Sequence, residues 1–316
     1  MICSNKVVIV GAGNVGSMCA YTLLNQGLCR EIVLIDMNMD KAVGEAMDME
    51  HASKFMSRRA KVRAGGYEDC EDADILIITA SAPVDKNLTS RLDILAPSKR
   101  IMKSIIGSVK EHHFHGIMIV ISNPVDVMSY YAWKLSGLPR NHVIGSGTTL
   151  DSTRLEYTIS EIFDVDPKSV FAPVIGEHGA NSVPVFSQAT VGGENILNIV
   201  KNHPEMMKGK TLKGLLQDTL DGGFEIMHRK GNTCYGIASS VTSIVKAILA
   251  DEDRVLSVST FLQGEYGVKD LFLSTPCVLN KDGIRNTIEL SLLEEEKEYF
   301  LQGAKNVRSY YQFLDE

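Results

Sequence analysis

The stretch Lys6-Val7-Val8-Ile9-Val10-Gly11-Ala12-Gly13-Asn14-Val15-Gly16 decides the fold. An apolar, β-branched run leads directly into a GxGxxG, and the residues from 15 to 25 then carry the apolar spacing of a helix. Alone, the glycine pattern is a weak signal. Between a strand and a helix it acquires a mechanism: Gly11 makes a tight turn, Gly13 lets a pyrophosphate approach the backbone, and Gly16 packs helix on strand. Free N–H groups at the start of that helix suit phosphates. The competing reading is a glycine turn without function.

Working outward, residues 31–36, 75–79 and 117–121 are further apolar runs, separated by helical patterns at 39–52 and 93–111. Continuous apolar strands alternating with amphipathic helices predict an α/β fold with a Rossmann-type, doubly wound parallel sheet. Asp36 ends the second run, where a carboxylate accepts hydrogen bonds from ribose hydroxyls and repels a 2′-phosphate. NAD is therefore expected rather than NADP.

The turn-rich segment 136–141 precedes Val143-Ile144-Gly145, and the regular alternation stops there. We place the boundary at 143, giving an NAD-binding domain over 1–143 and a mixed α+β substrate domain over 144–316. The second domain has β-rich pieces at 169–175 and 255–261 and long helices at 208–230, 233–249 and 294–314.

Composition narrows the function classes. A net charge of -7 offers no broad basic field for nucleic acid. The six cysteines lie far apart without a CxxC pair, which suits reduced thiols in a cytoplasmic protein. No apolar stretch approaches membrane-spanning length, and the first apolar run is too short for a signal-peptide core, so no membrane association is expected.

Three further segments carry chemistry. Gly176-Glu177-His178-Gly179 sets a lone histidine between glycines; such a residue is commonly structural, yet imidazole is also the group that exchanges a proton near neutral pH. Asp151 and Arg154 stand three apart and share a helix face. They form either a surface ion pair or a working pair, with Asp151 holding the histidine and Arg154 gripping a carboxylate through its planar fork. Residues 81–91 form a polar loop after a strand, at the sheet edge where ligands bind. Arg91 at its far side is an ordinary helix residue or a cation that polarises a carbonyl when the loop closes. Asn123, in Ser122-Asn123-Pro124, sits at the same edge.

Taken together, GAGNVG, Asp36, SRLD, ISNPVDV, GSGTTLDSTR, GEHG and KGNTCYGIA resemble the lactate/malate dehydrogenase family, in order and approximate spacing, over nearly the whole chain. That resemblance implies reversible hydride transfer between NADH and a small 2-oxo or 2-hydroxy monocarboxylic acid, pyruvate and L-lactate foremost. By it, His178 is the proton donor and acceptor, Asp151 its partner and Arg91 the loop arginine. Arg154 anchors the substrate carboxylate, and Asn123 serves both substrate and cofactor. It also assigns Gly11, Gly13, Asn14, Val15, Gly16, Asp36, Thr79, Ala80 and Ile237 to the cofactor and Thr233 to the substrate pocket, where malate enzymes usually carry a smaller residue. The specificity position in the loop falls on Val84 or Asp85; neither is the arginine that a second substrate carboxylate requires, although Lys86 is near. A homodimer or homotetramer is expected.

Some positions depart from relatives. Glu156 and Phe171 stand where enzymes activated by fructose bisphosphate carry arginine and histidine, so no such activation is expected. Ala180 follows GEHG in place of the usual acidic residue. Competing readings are a 2-hydroxyisocaproate-type or malate dehydrogenase, a noncatalytic NAD sensor, and an NAD- and metal-dependent glycosidase. The last family tends to carry cysteine where Ser122 stands. The His112-His113-Phe114-His115 cluster reads as a solvated helix end more readily than as a metal site, and no metal is expected.

Overall fold

In a computed structural model, the structure describes residues 5–81 and 91–314, without the side chains of 91–93 and 224. The loop candidates Val84 and Asp85, with Lys86, lie outside the described residues, as does the side chain of Arg91.

Six strands run parallel in the first half: β1 (Lys6–Val10), β2 (Glu31–Ile35), β3 (Lys61–Ala64), β4 (Ile75–Ile78), β5 (Ile117–Val120) and β6 (Val143–Gly145). Their spatial order is β3-β2-β1-β4-β5-β6, the doubly wound arrangement, with the topological switch between β1 and β4. β1, β4 and β5 are buried at every residue because helices cover both faces. The helices are α1 (Asn14–Gln26), α2 (Met39–Ala52), α3 (Arg91–Glu111) and α4 (Val125–Ser136). Gly27 and Gly137 stop α1 and α4 in the left-handed region.

The second half extends the first half's sheet and adds a small three-stranded one. Helix α5 (Thr149–Phe163) leads to β7 (Val170–Phe171), β8 (Val174–Gly176), β9 (Ser182–Pro184), β10 (Thr190–Val191) and β11 (Glu194–Asn195). After α6 (Ile196–Asn202), α7 (Leu212–Lys230) and α8 (Tyr235–Leu249) come the long antiparallel pair β12 (Arg254–Gln263) and β13 (Lys269–Asn280), then β14 (Gly283–Thr287) and α9 (Glu294–Tyr311). β12 joins β6 at Ser259 and Gly145, so both halves share one eleven-stranded sheet, and the small sheet is β11-β10-β7. The expected boundary at 143 falls on the first residue of β6, whose pairing with β5 carries the parallel sheet on to Gly145.

Two expectations are corrected. The strand expected over 169–175 is split into β7 and β8, which belong to different sheets. Pro173, which has no N–H for a ladder, lies between them. The helix expected from 208 begins at Leu212, because Lys208 and Gly209 take φ values of 48° and 79°, outside helical space.

Candidate active site

At the switch point the ends of three strands are tied together. Gly11 takes φ 106°, and a Cβ there would lie 2.6 Å from Thr79 Oγ1 and 2.8 Å from Ala80 N, so only glycine fits the turn. A Cβ on Gly16 would lie 1.8 Å from Gly11 O, which fixes how closely α1 approaches the loop. Thr79 N and Ala80 N both donate to Val10 O, Thr79 Oγ1 donates to Gly11 O at 2.9 Å, and Ser122 Oγ donates to Ala80 O at 2.6 Å.

Gly13 precedes α1 with no side-chain cap, and Asn14 opens the helix exposed, at the end where the first N–H groups have no intrahelical partner. Gly13 itself has nothing within 4 Å of a built Cβ. Asp36 closes the other side: its Oδ2 accepts from Ala12 N at 2.7 Å and its Oδ1 from Asn38 N at 2.9 Å. The cradle has helix-dipole N–H groups for phosphates and a carboxylate for ribose hydroxyls, which fits a dinucleotide. Val15 and Ile237, from α1 and the first turn of α8, pack on one hydrophobic core.

The second cluster is built by α5, β8 and α4. Val174 N donates to Ser152 Oγ at 2.9 Å and Thr148 Oγ1 donates to Val174 O, which fastens the first turn of α5 to the strand leading to His178. Asp151 and His178 are 27 residues apart, yet His178 Nδ1 lies 2.6 Å from Asp151 Oδ2. With a carboxylate as acceptor, Nδ1 carries the hydrogen and Nε2 is the nitrogen left to exchange a proton. Arg154 Nη1 donates to Asp151 Oδ1 at 3.3 Å, one turn along α5.

The charge of Asp151 raises the His178 pKa above its ordinary value, against burial, which lowers it. Burial pushes Asp151 upward, but the positive charges of His178 and Arg154 outweigh it and hold the carboxyl below its usual range. Imidazolium is thus stabilised at this position.

A second carboxylate, which sequence reasoning missed, stands behind the histidine. Asp126, in the first turn of α4, is 3 % exposed; its Oδ2 accepts from His178 N at 2.9 Å and its Oδ1 from Ser259 Oγ at 2.6 Å. Burial raises its pKa to about 6. The only hint in the sequence was an aspartate within an otherwise apolar run, Val125-Asp126-Val127-Met128.

The remaining candidates lie near these clusters. Asn123 is exposed after β5, with its carbonyl accepting from Ser98 Oγ at 3.0 Å, which ties α3 to the strand end. Thr233 is half-buried in the turn between α7 and α8, and a Cβ on Gly236 would touch Leu150 Cδ1 at 2.9 Å, so this turn abuts the residue before Asp151. α7 passes beside Arg154, with a Cβ on Gly223 lying 3.4 Å from Nη1. Glu156 and Phe171 line one cavity of about 410 Å³ with Arg254 and Val255, which His178 does not line. Glu156 is raised to about 7 by burial and accepts from Ala172 N at 3.3 Å. Among the described residues, no three His, Cys, Asp or Glu converge on a metal position, including the histidines at the end of α3. Cys19, Cys29, Cys70, Cys234 and Cys277 are buried, and no described helix is long and apolar enough to cross a membrane.

Fold and site define a dinucleotide-binding α/β protein with a histidine held by two carboxylates, Asp126 at its backbone and Asp151 at its ring, beside an arginine. Comparison with known proteins agrees: residues 5–145 match the NAD-binding domain of lactate/malate dehydrogenase, and residues 148–311 match its alpha/beta C-terminal domain. The chain belongs to the lactate/malate dehydrogenase family. It is 47% identical to L-lactate dehydrogenase 3 of Bacillus thuringiensis subsp. konkukian over 97% of both chains, and 44% identical to L-lactate dehydrogenase 2 of Bacillus cereus over 95% of both. Among solved structures, the minor L-lactate dehydrogenase of Enterococcus mundtii superposes with a TM-score of 0.94 at 41% identity, covering 99% of this chain and 98% of that one. A lactate dehydrogenase enzyme from a Medee basin deep-sea metagenome library superposes at 0.95 with 37% identity, covering 100% of each.

Proposed function

We propose that the protein is an NAD-dependent L-lactate dehydrogenase, interconverting pyruvate and L-lactate. The observation that carries the reading is the His178–Asp151–Arg154 constellation, joined to relatives bearing that name at up to 47% identity over nearly the full chain.

The glycine turn at 11–16, with Asp36, Thr79, Ala80, Asn123 and Ile237, holds the dinucleotide, which supplies or accepts the hydride when bound. Arg154 binds the substrate carboxylate through its planar fork. His178, protonated and held by Asp151, donates from Nε2 to the carbonyl oxygen during reduction; neutral, it takes the hydroxyl proton during oxidation. Arg91 polarises the carbonyl. Thr233 and Val84 or Asp85 bound the substrate side chain and exclude a second carboxylate. In this reading most of the cofactor site comes from the first 143 residues, while His178, Asp151, Arg154 and Thr233 of the remainder complete the substrate site together with Arg91 and Val84 or Asp85.

The protein acts in the cytoplasm as a homodimer or homotetramer, and fructose bisphosphate does not activate it. An acidic Glu156 and an apolar Phe171 at the corresponding cavity support that last point.

A steady-state panel of pyruvate, 2-oxobutyrate, 2-oxoisocaproate and oxaloacetate with NADH tests the reading. Pyruvate should give the highest kcat/KM. Preference for 2-oxoisocaproate or oxaloacetate would replace the substrate assignment, and no turnover with any of the four would leave a nucleotide-binding protein without this chemistry.

A further inference from the structure

The backbone of His178 is held by Asp126 and its ring by Asp151, but its neighbour Glu177 is held from the far end of the chain. Glu177 is 3 % exposed, and its carboxylate accepts from Asn181 Nδ2 at 2.6 Å and from Asn306 Nδ2 at 2.9 Å on both oxygens. Asn306 is 129 residues further along, on α9.

The helix meets the histidine loop along one face, at residues spaced by three. A Cβ on Gly176 would lie 3.4 Å from Phe300, and a Cβ on Gly303 would lie 3.4 Å from both Asn181 O and Glu177 Cβ. Asn306 follows one turn later. α9 is itself anchored beyond this point: the Tyr311 ring stacks on Tyr130 of α4 at 3.9 Å, and its hydroxyl accepts from Phe272 N at 3.0 Å. A simple packing contact would be met as well by an apolar pair, since a buried carboxylate must be satisfied at a cost in desolvation. Here the carboxylate stands one peptide bond from the imidazole, and its Asn306 partner comes from a braced helix.

We propose that Asn306 is a positioning residue for proton transfer, acting through Glu177 on the placement of His178. It touches neither substrate nor cofactor. The inference rests on reading His178 as the proton carrier. Displacements well under 1 Å at a proton-transferring group are enough to change a rate severalfold, and losing the Asn306 bond removes one of the restraints on the loop.

Pyruvate reduction by NADH in Asn306→Ala, Glu177→Gln and the double variant tests it, alongside NADH titration. Asn306→Ala should lower kcat by about fivefold while KM for pyruvate and NADH affinity change less than twofold. In the Glu177→Gln background the same change should cost less than twofold, since the residue acts through that carboxylate. If Asn306→Ala does not accumulate as folded protein, Asn306→Ser, with a shorter donor, gives the same readout. Unchanged kcat, a loss confined to KM or NADH affinity, or an undiminished loss in the Glu177→Gln background would each overturn the proposal. His178→Asn, run in parallel, separates the two readings: full turnover there removes the proton-carrier assignment itself, whereas an inactive His178→Asn beside an unaffected Asn306→Ala removes the role of Asn306 alone.

Discussion

Asp151 divides its carboxylate between two cations, with Oδ2 2.6 Å from His178 Nδ1 and Oδ1 3.3 Å from Arg154 Nη1. One residue thereby orients both the imidazole that we propose as proton carrier and the guanidinium that we propose as carboxylate anchor. Asp151→Asn removes the charge that raises the His178 pKa, so the acid form should be lost at lower pH in the variant. Pyruvate reduction near neutral pH should fall by about a hundredfold, judged from kcat/KM. A drop under threefold, with an unshifted pH profile, would remove Asp151 from the mechanism.

Arg154→Lys keeps the charge and loses the fork. 2-Oxo acid binding should weaken by about 2 to 4 kcal/mol, with NADH affinity nearly intact. Substrate inhibition or KM measurements at fixed NADH report this directly. Loss of NADH binding instead would place Arg154 in the cofactor site.

Asp36 lies at the end of β2 with its Oδ2 already engaged by the glycine turn. NADH should be strongly preferred over NADPH, and Asp36→Ser should narrow the ratio of their kcat/KM values by about tenfold or more. Equal use of both cofactors by the wild-type protein would contradict the assignment.

Stability at acid pH should depend on a different cluster. Asp69 takes Arg63 through two hydrogen bonds and lies 3.2 Å from Lys6 Nζ, and the Arg63 bond, followed by Lys6, lowers its pKa to about 2 against burial. A depressed carboxyl stabilises the fold above its unfolded pKa near 3.8, and that contribution is lost as pH falls toward 2. The melting temperature should therefore drop between pH 4 and pH 2, and Asp69→Asn should melt lower at pH 7 and show a flatter decline over that window. An identical acid limb in the variant would show that other carboxylates govern it.

Much of the first half was legible because parallel strands buried on both faces leave continuous apolar runs; the helix read at 39–52 has those same bounds in the structure. β3 left no such trace, since an edge strand reading Lys61-Val62-Arg63-Ala64 buries Val62 alone. The join of β12 to β6 was also invisible, because a single bridge between Ser259 and Gly145 has no sequence pattern. Asp151, Arg154 and His178 stood out as candidates by residue type and spacing, and their roles came from the family resemblance. Asp126 and Asn306 could not: each matters through what the fold brings beside it, a backbone N–H for one and a buried carboxylate for the other.

The proposed reaction turns on one imidazole changing its protonation state between directions, and the most direct measurement is the pH dependence of kcat/KM for pyruvate reduction and for L-lactate oxidation in the wild-type protein. The Asp151 charge raises the His178 pKa, so the acid form persists above the ordinary histidine range. Reduction should hold below that pKa and fade as pH rises through it, while oxidation gains over the same interval, giving mirror-image curves with one shared midpoint. Curves that rise and fall together in both directions would mean that the proton is carried by another group.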